Sequence, residues 1–212
     1  MSEQKISWEK FHETPVIGIL RGYPPDVILE MIPVYLDSGY HTVEITMNSP
    51  SATNTISTIA KRYPELNIGA GTVCNKADLR LALDAGAQFI VMPVINDEVI
   101  AICVDNDIPV FPGAYTPTEI YRAWHLGASA VKVFPASQLG PTYIKEVLAP
   151  LNDIRLLPTG GVSAKNIGSY FEAGAVGVGM GSSLFDNKLM EEKDWRTLHN
   201  HLKEIKDRIV FR

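Results

Sequence analysis

The strongest constraint in this chain is a rhythm. Short β-branched runs recur along its whole length, each followed by turn residues and then by a stretch with helical periodicity, the signature of βα units around a parallel sheet. Eight runs are visible: Val16–Leu20, Thr42–Thr46, Asn67–Ala70, Phe89–Met92, Val110–Phe111, Ala130–Phe134, Arg155–Leu157 and Val176–Gly179. All but the first are mostly apolar on both faces, as strands covered on both sides must be. Spread over 212 residues, eight units leave roughly 25 residues each, the compact end of the range for a (β/α)8 barrel. A faint internal repeat points the same way. An acidic residue, a small residue and a glycine precede the next strand in Asp37-Ser38-Gly39, Asp84-Ala85-Gly86 and Glu172-Ala173-Gly174, with His125-Leu126-Gly127 as a weaker copy. Ordinary helix caps account for each glycine singly, and an open doubly wound sheet is the rival architecture. Their recurrence about every two units favours a closed barrel.

The expectation is one α/β domain over residues 1–212, a (β/α)8 TIM barrel with a short N-terminal helix at Lys5–Thr14. An amphipathic closing helix is expected at Glu191–Arg208, with Trp195, Leu198, Leu202 and Ile205 on one face. A formal net charge of -5 supplies no basic field for a polyanion, so nucleic acid is not an expected partner. Small anions need only a local site. Two cysteines, Cys74 and Cys103, are too few for a disulfide framework or zinc knuckle and suggest a reducing, cytoplasmic setting. Met1 to Glu13 lacks the apolar run of a signal peptide, and no stretch is apolar enough for a membrane span. His199 and His201 are two apart on a helix and diverge, and no His-Glu-x-x-His appears, so no metal site is expected.

In a barrel of this kind the reacting groups belong at the C-terminal ends of the strands, so each polar residue inside an apolar strand needs an explanation. Lys132 lies in Val131-Lys132-Val133-Phe134-Pro135, where alternation puts the valines on one face and Lys132 with Phe134 on the other. Glu44 lies in Val43-Glu44-Ile45-Thr46 with the same parity. If the valines and Ile45 face the helices, an ammonium and a carboxylate share one interior. A structural ion pair would account for that. A desolvated lysine, however, is also a free amine that attacks ketones, and a neighbouring carboxylate can shuttle the protons that follow. Two glycine-rich segments add a possible anion site: Pro158-Thr159-Gly160-Gly161-Val162 after the seventh strand and Gly179-Met180-Gly181-Ser182-Ser183 after the eighth. Loops at these positions cradle phosphate in many barrels, although tight turns alone also demand glycine. Cys74, near a strand end, has no evident partner and reads as incidental.

These motifs, in this order, resemble the class I 2-keto-3-deoxy-6-phosphogluconate and 4-hydroxy-2-oxoglutarate aldolases over nearly the whole chain. The matching segments are Val43-Glu44-Ile45-Thr46, Gly69-Ala70-Gly71-Thr72-Val73, Pro112-Gly113 with Thr116-Pro117-Thr118-Glu119, Val131-Lys132-Val133-Phe134-Pro135 and Thr159-Gly160-Gly161. The resemblance implies that Lys132 forms the Schiff base and Glu44 is the general acid and base. It implies that Thr72, Pro93, Phe134 and Thr159 line a pyruvate pocket, and that Gly160, Gly161 and Ser182 receive the substrate phosphate. It also implies a homotrimer that needs neither metal nor cofactor. One departure is informative. The gluconate-type pattern carries an arginine four residues after the glutamate, where this chain has Asn48 within Met47-Asn48-Ser49-Pro50. This stretch, with Leu20-Arg21-Gly22 and Gly140-Pro141-Thr142-Tyr143-Ile144-Lys145, is more similar to the 6-phosphogalactonate-type members. Arg21, in phase with Ile17 and Ile19, is the expected substitute partner for the keto-acid carboxylate.

The reaction so implied is reversible cleavage of a 2-keto-3-deoxy-6-phospho sugar acid, of gluconate or galactonate type, to pyruvate and glyceraldehyde 3-phosphate. Three other readings stay open. The same chemistry on 4-hydroxy-2-oxoglutarate would not need phosphate, and a sugar-phosphate isomerase or epimerase would form no imine. A non-catalytic sugar-phosphate sensor would bind without turnover.

Overall fold

The computed structural model describes residues 5–209, so residues 1–4 and 210–212 of the expected domain lie outside the described residues. Nine strands occur among them: β1 (Val16–Leu20), β2 (Thr42–Thr46), β3 (Asn67–Gly71), β4 (Ile90–Val91), β5 (Val110–Phe111), β6 (Gly113–Ala114), β7 (Val131–Val133), β8 (Leu156–Pro158) and β9 (Val178–Met180). They form two parallel sheets, one of six strands in the order β5-β4-β3-β2-β1-β9 and one of three in the order β6-β7-β8. Helices alternate with them, including Pro25–Asp37, Ala52–Arg62, Lys76–Asp84, Asp97–Asp105, Pro117–His125 and Gly140–Leu148. The fold is thus α/β with parallel strands.

The expected fifth strand is divided. Pro112 has no amide hydrogen to give the ladder, so β5 pairs with β4 while β6, one residue further on, pairs with β7. The sheets also touch at their other ends, through a parallel bridge between Thr159 and Gly179 and a bond from the Val176 amide to the Leu156 carbonyl of 3.0 Å. The closing helix starts later than expected, at Trp195–Lys206, and a separate short helix, Asn187–Glu191, precedes it. Lys193 at φ 54° turns the chain between them, and the Asp194 side chain caps the second by accepting from the Thr197 amide. The N-terminal helix is shorter than expected, Trp8–Glu13, because Ser7 caps it.

Alternation sorts the side chains into two sets. Outward residues such as Val43, Ile45, Val131 and Val133 join one extended core with the helices. A second cluster of Ile6, Phe11, Ile17, Phe89, Val91, Phe111, Ala130 and Leu157 fills the space between the strands towards their N-terminal ends. The N-terminal segment seals that end. Asn67 accepts from the Ser7 amide at 2.8 Å and donates to the Ser7 carbonyl at 2.9 Å, while Phe11 packs edge-on to Trp8. The glycines of the internal repeat, Gly39, Gly86, Gly127 and Gly174, all have positive φ, as helix-ending residues should. No helix among the described residues is long and apolar enough to cross a membrane.

Candidate active site

Glu44 sits in the middle of β2, paired with Ile19 of β1 and Gly69 of β3. Lys132 sits in the middle of β7, paired with Gly113 and Leu157. Both are on the strand face opposite the helix-side core that holds Val43, Ile45, Val131 and Val133, and both are buried, Glu44 at 1% and Lys132 at 3% exposure. Sequence makes room for the acid: a methyl group on Gly71 would overlap the Glu44 carboxyl. The lysine amine lies over the Phe134 ring, 4.8 Å from its centroid.

Among the described residues, Lys132 and Glu44 form no direct ion pair, so the structural salt bridge that the sequence allowed is not what is found. Glu44 Oε2 is buried without a hydrogen-bond partner. Burial dominates both titrations. It pushes the Lys132 ammonium down from the ordinary lysine value, against the upward pull of Glu44 and with a further push from Arg21. It raises the Glu44 carboxyl, against the opposing pull of Lys132 and Arg21. Each group therefore leans towards its neutral form. An amine whose charged form burial disfavours, beside a protonatable carboxyl and not tied to it, is a nucleophile with a proton carrier.

Lys132 opens into a cavity of about 470 Å³ that also takes in Arg21, Phe134, Thr159, Gly160, Gly161 and Ser182. The structure thus brings together most of the residues singled out in the sequence. Gly160 and Gly161 have φ of 90° and 78°, a pair of left-handed turns that only glycine adopts freely. The Ser183 hydroxyl donates to the Val162 carbonyl and ties the two glycine segments together. Both segments are turns, and helix Ile167–Glu172 begins several residues later, so any anion held here meets loop amides and hydroxyls.

Thr72 and Pro93 stand slightly apart. Thr72 follows β3 directly, with φ at 58°, a conformation costing a threonine about 1–2 kcal/mol; it does not line the Lys132 cavity. Pro93 lines a neighbouring cavity of about 390 Å³ that shares Phe134 as a wall. Sequence reasoning missed Tyr23 and Asn187, which line the main cavity and hydrogen-bond to each other at 2.7 Å. The histidines diverge as expected: His201 Nε2 lies 2.9 Å from the Ser183 carbonyl, while His199 sits beside Asp37. Among the described residues no cluster of three or more His, Cys, Asp or Glu is placed to hold a metal. Burial and Asp78 raise the Cys74 thiol, which keeps it protonated.

A buried lysine and a buried glutamate in the middle of parallel strands, with the lysine opening into a glycine-looped cavity, are the groups that a carbonyl-condensing type of site requires. The sequence profile of the KDPG and KHG aldolases matches residues 8–201, and the chain belongs to that family. It is 40% identical over 182 residues to the 2-dehydro-3-deoxy-6-phosphogalactonate aldolase of Escherichia coli (strain K12), covering 85% of this chain and 88% of the relative. It is 31% identical to the 2-dehydro-3-deoxy-phosphogluconate aldolase of Haemophilus influenzae, over 94% of each chain. A solved structure described as native KDPGal superposes with a TM-score of 0.84 at 36% identity, covering 92% of this chain and 96% of the other.

Proposed function

We propose that this chain is a Schiff-base aldolase that reversibly cleaves a 2-keto-3-deoxy-6-phospho sugar acid, the galactonate epimer foremost, into pyruvate and glyceraldehyde 3-phosphate. The observation that carries the reading is the buried, unpaired Lys132 amine, which opens into one cavity with the two glycine segments, while buried Glu44 lies near enough to act on its charge. The Lys132 amine attacks the C2 ketone, and the protonated Glu44 carboxyl gives its proton to the departing hydroxyl, so that water leaves, a protonated imine remains and Glu44 is left as a carboxylate. Glu44, through a water, takes the proton from the C4 hydroxyl. The C3–C4 bond breaks, its electrons pass into the imine to leave an enamine, and the aldehyde departs. Protonation at C3 and hydrolysis then release pyruvate and restore the amine.

The remaining roles rest on the family resemblance, supported for Arg21, Phe134, Thr159, Gly160, Gly161 and Ser182 by their place in the Lys132 cavity. Arg21 receives the keto-acid carboxylate in the place of the arginine absent at Asn48. Thr72 and Thr159 offer hydroxyls to the keto-acid oxygens, and Pro93 and Phe134 exclude water around the imine. Gly160, Gly161 and Ser182 receive the phosphate through amides and a hydroxyl. The galactonate epimer is favoured by the 40% identity to the Escherichia coli phosphogalactonate enzyme. We read the two sheets as one closed eight-unit barrel forming a single domain, supported by the continuity of β5 and β6 across Pro112 and the bridge between Thr159 and Gly179. The chain is further read as a cytoplasmic homotrimer, the former supported by its two free cysteines and the latter by family resemblance alone.

Sodium borohydride with pyruvate tests the reading: a stable covalent adduct at Lys132 is expected, and its absence overturns the aldolase assignment. A coupled assay with both phosphorylated epimers and with 4-hydroxy-2-oxoglutarate, reporting kcat/KM for each, then ranks the substrates. An isomerase or a sensor would give neither adduct nor pyruvate.

A further inference from the structure

The guanidinium of Arg21 reaches the same cavity as Lys132, yet among the described residues it has no ion pair or hydrogen bond of its own. Its place is therefore set by the backbone on which it stands. That backbone is held from two sides. On the β2 side, the amide of Gly22, the next residue, donates to Ser49 Oγ at 2.9 Å. Ser49 Oγ in turn lies 2.7 Å from Thr46 Oγ1, and its own amide donates to the Thr46 carbonyl at 2.9 Å. Both hydroxyls are buried, with Thr46 at 0% and Ser49 at 8% exposure. Gly22 has φ of 77°, so the amide is aimed by a turn that an L side chain would strain. On the β9 side, the Tyr23 hydroxyl donates to Asn187 Oδ1 at 2.7 Å and lies 3.0 Å from the Phe185 carbonyl.

Thr46 is two residues after Glu44 on the same strand face. The hydroxyl pair thus runs from the strand that carries the acid to the loop that carries the arginine. A buried serine hydroxyl with a backbone amide on one side and a threonine hydroxyl on the other has both neighbours depending on it, and removing it would leave both partners without that bond. We propose that Ser49 is a positioning residue: by holding the Gly22 amide it fixes the backbone under Arg21 and so sets the affinity of the site for the carboxylate of the 2-keto acid. The inference rests on the assignment of Arg21 made above and names the device that makes that assignment work.

The test is a double-mutant cycle of Ser49→Ala and Arg21→Ala, read as KM for pyruvate and kcat in the condensation direction, with borohydride trapping at saturating pyruvate as a control. Ser49→Ala is expected to raise the pyruvate KM about tenfold, the effect of one lost hydrogen bond, with kcat within about twofold of wild type. In the Arg21→Ala background the same substitution is expected to add nothing. Thr46→Val, which keeps its side chain's shape, is expected to move KM in the same direction and carries the test if Ser49→Ala does not fold. A Ser49→Ala enzyme with unchanged pyruvate KM, or one whose KM rises equally with and without Arg21, overturns the proposal. A wild-type enzyme that borohydride and pyruvate fail to label overturns the aldolase reading instead, so the two failures are distinct.

Discussion

The residues clustered with Phe11 and Ile6 of the N-terminal segment and those at and beside the glycine-looped cavity differ in chemistry, although the strands carry both. The first set is Ile17, Phe89, Val91, Phe111, Ala130 and Leu157, sealed by Phe11 and Ile6. Phe89 and Phe111 meet edge to face with centroids 5.9 Å apart, and nothing ionisable belongs to the cluster. The second set holds Glu44, Lys132 and Thr159, all buried, with Arg21 at the rim of an open cavity. Dense packing at one end makes a rigid floor. At the other end, burial without complete pairing shifts both titrating groups towards their neutral forms. The lesson is that burial stabilises where side chains are apolar and activates where they are not.

The largest expected effect falls on the reactive end. Lys132→Met should remove the nucleophile and lower kcat by at least roughly 10⁴-fold, abolish borohydride labelling with pyruvate, and leave the protein folded. Cleavage at the wild-type rate would break the comparison outright. At the packed end the effect should be of the opposite kind. Phe89→Ala should destabilise the fold by about 3–5 kcal/mol, measured by urea unfolding, while the folded fraction still forms the pyruvate adduct.

These expectations divide along the line of what was legible in the sequence. Lys132 and Glu44 stood out because a charged residue in an alternating apolar strand must point inward, and parity alone located both. The glycine segments were legible by composition. Strand ends were less so: the break at Pro112 depends on which neighbour its missing amide would have served, and that is decided by the fold. Tyr23 with Asn187, and Ser49 with Gly22, were illegible because each contact joins loops from different units. The first pair is 164 residues apart and the second 27, and neither obeys a periodicity. The Glu44–Lys132 relation was only half legible. The sequence allowed an ion pair, and the structure shows none; the acid instead stands against two glycines of the next strand, Gly69 in register with it and Gly71 against its carboxyl.

One of those glycines sharpens the contrast. A methyl group at Gly71 would overlap the Glu44 carboxyl, and a side chain 1% exposed has little space to retreat. Gly71→Ala should therefore displace the acid and lower kcat about 10²-fold, while Lys132 still forms a borohydride-trapped adduct with pyruvate. Equal loss of both would mean that Gly71 supports the lysine as well, and that the two groups are less independent than their geometry indicates.

The smallest expected effect concerns stability, and its sign follows from the same burial. The Glu44 carboxyl is raised above its ordinary 4.5, chiefly by desolvation, so the folded chain binds that proton more tightly than the unfolded one. The stability gained in this way is complete below the unfolded value and is lost as pH rises through the folded value. Glu44→Gln, neutral at every pH, escapes the loss. Its Tm should exceed that of wild type at pH 7 to 8, and the gap should close as pH falls below about 4.5, the unfolded value. A variant less stable than wild type at neutral pH would mean that the carboxylate is ionised and held by Lys132, so that the reactive end, like the packed one, is fully satisfied at rest.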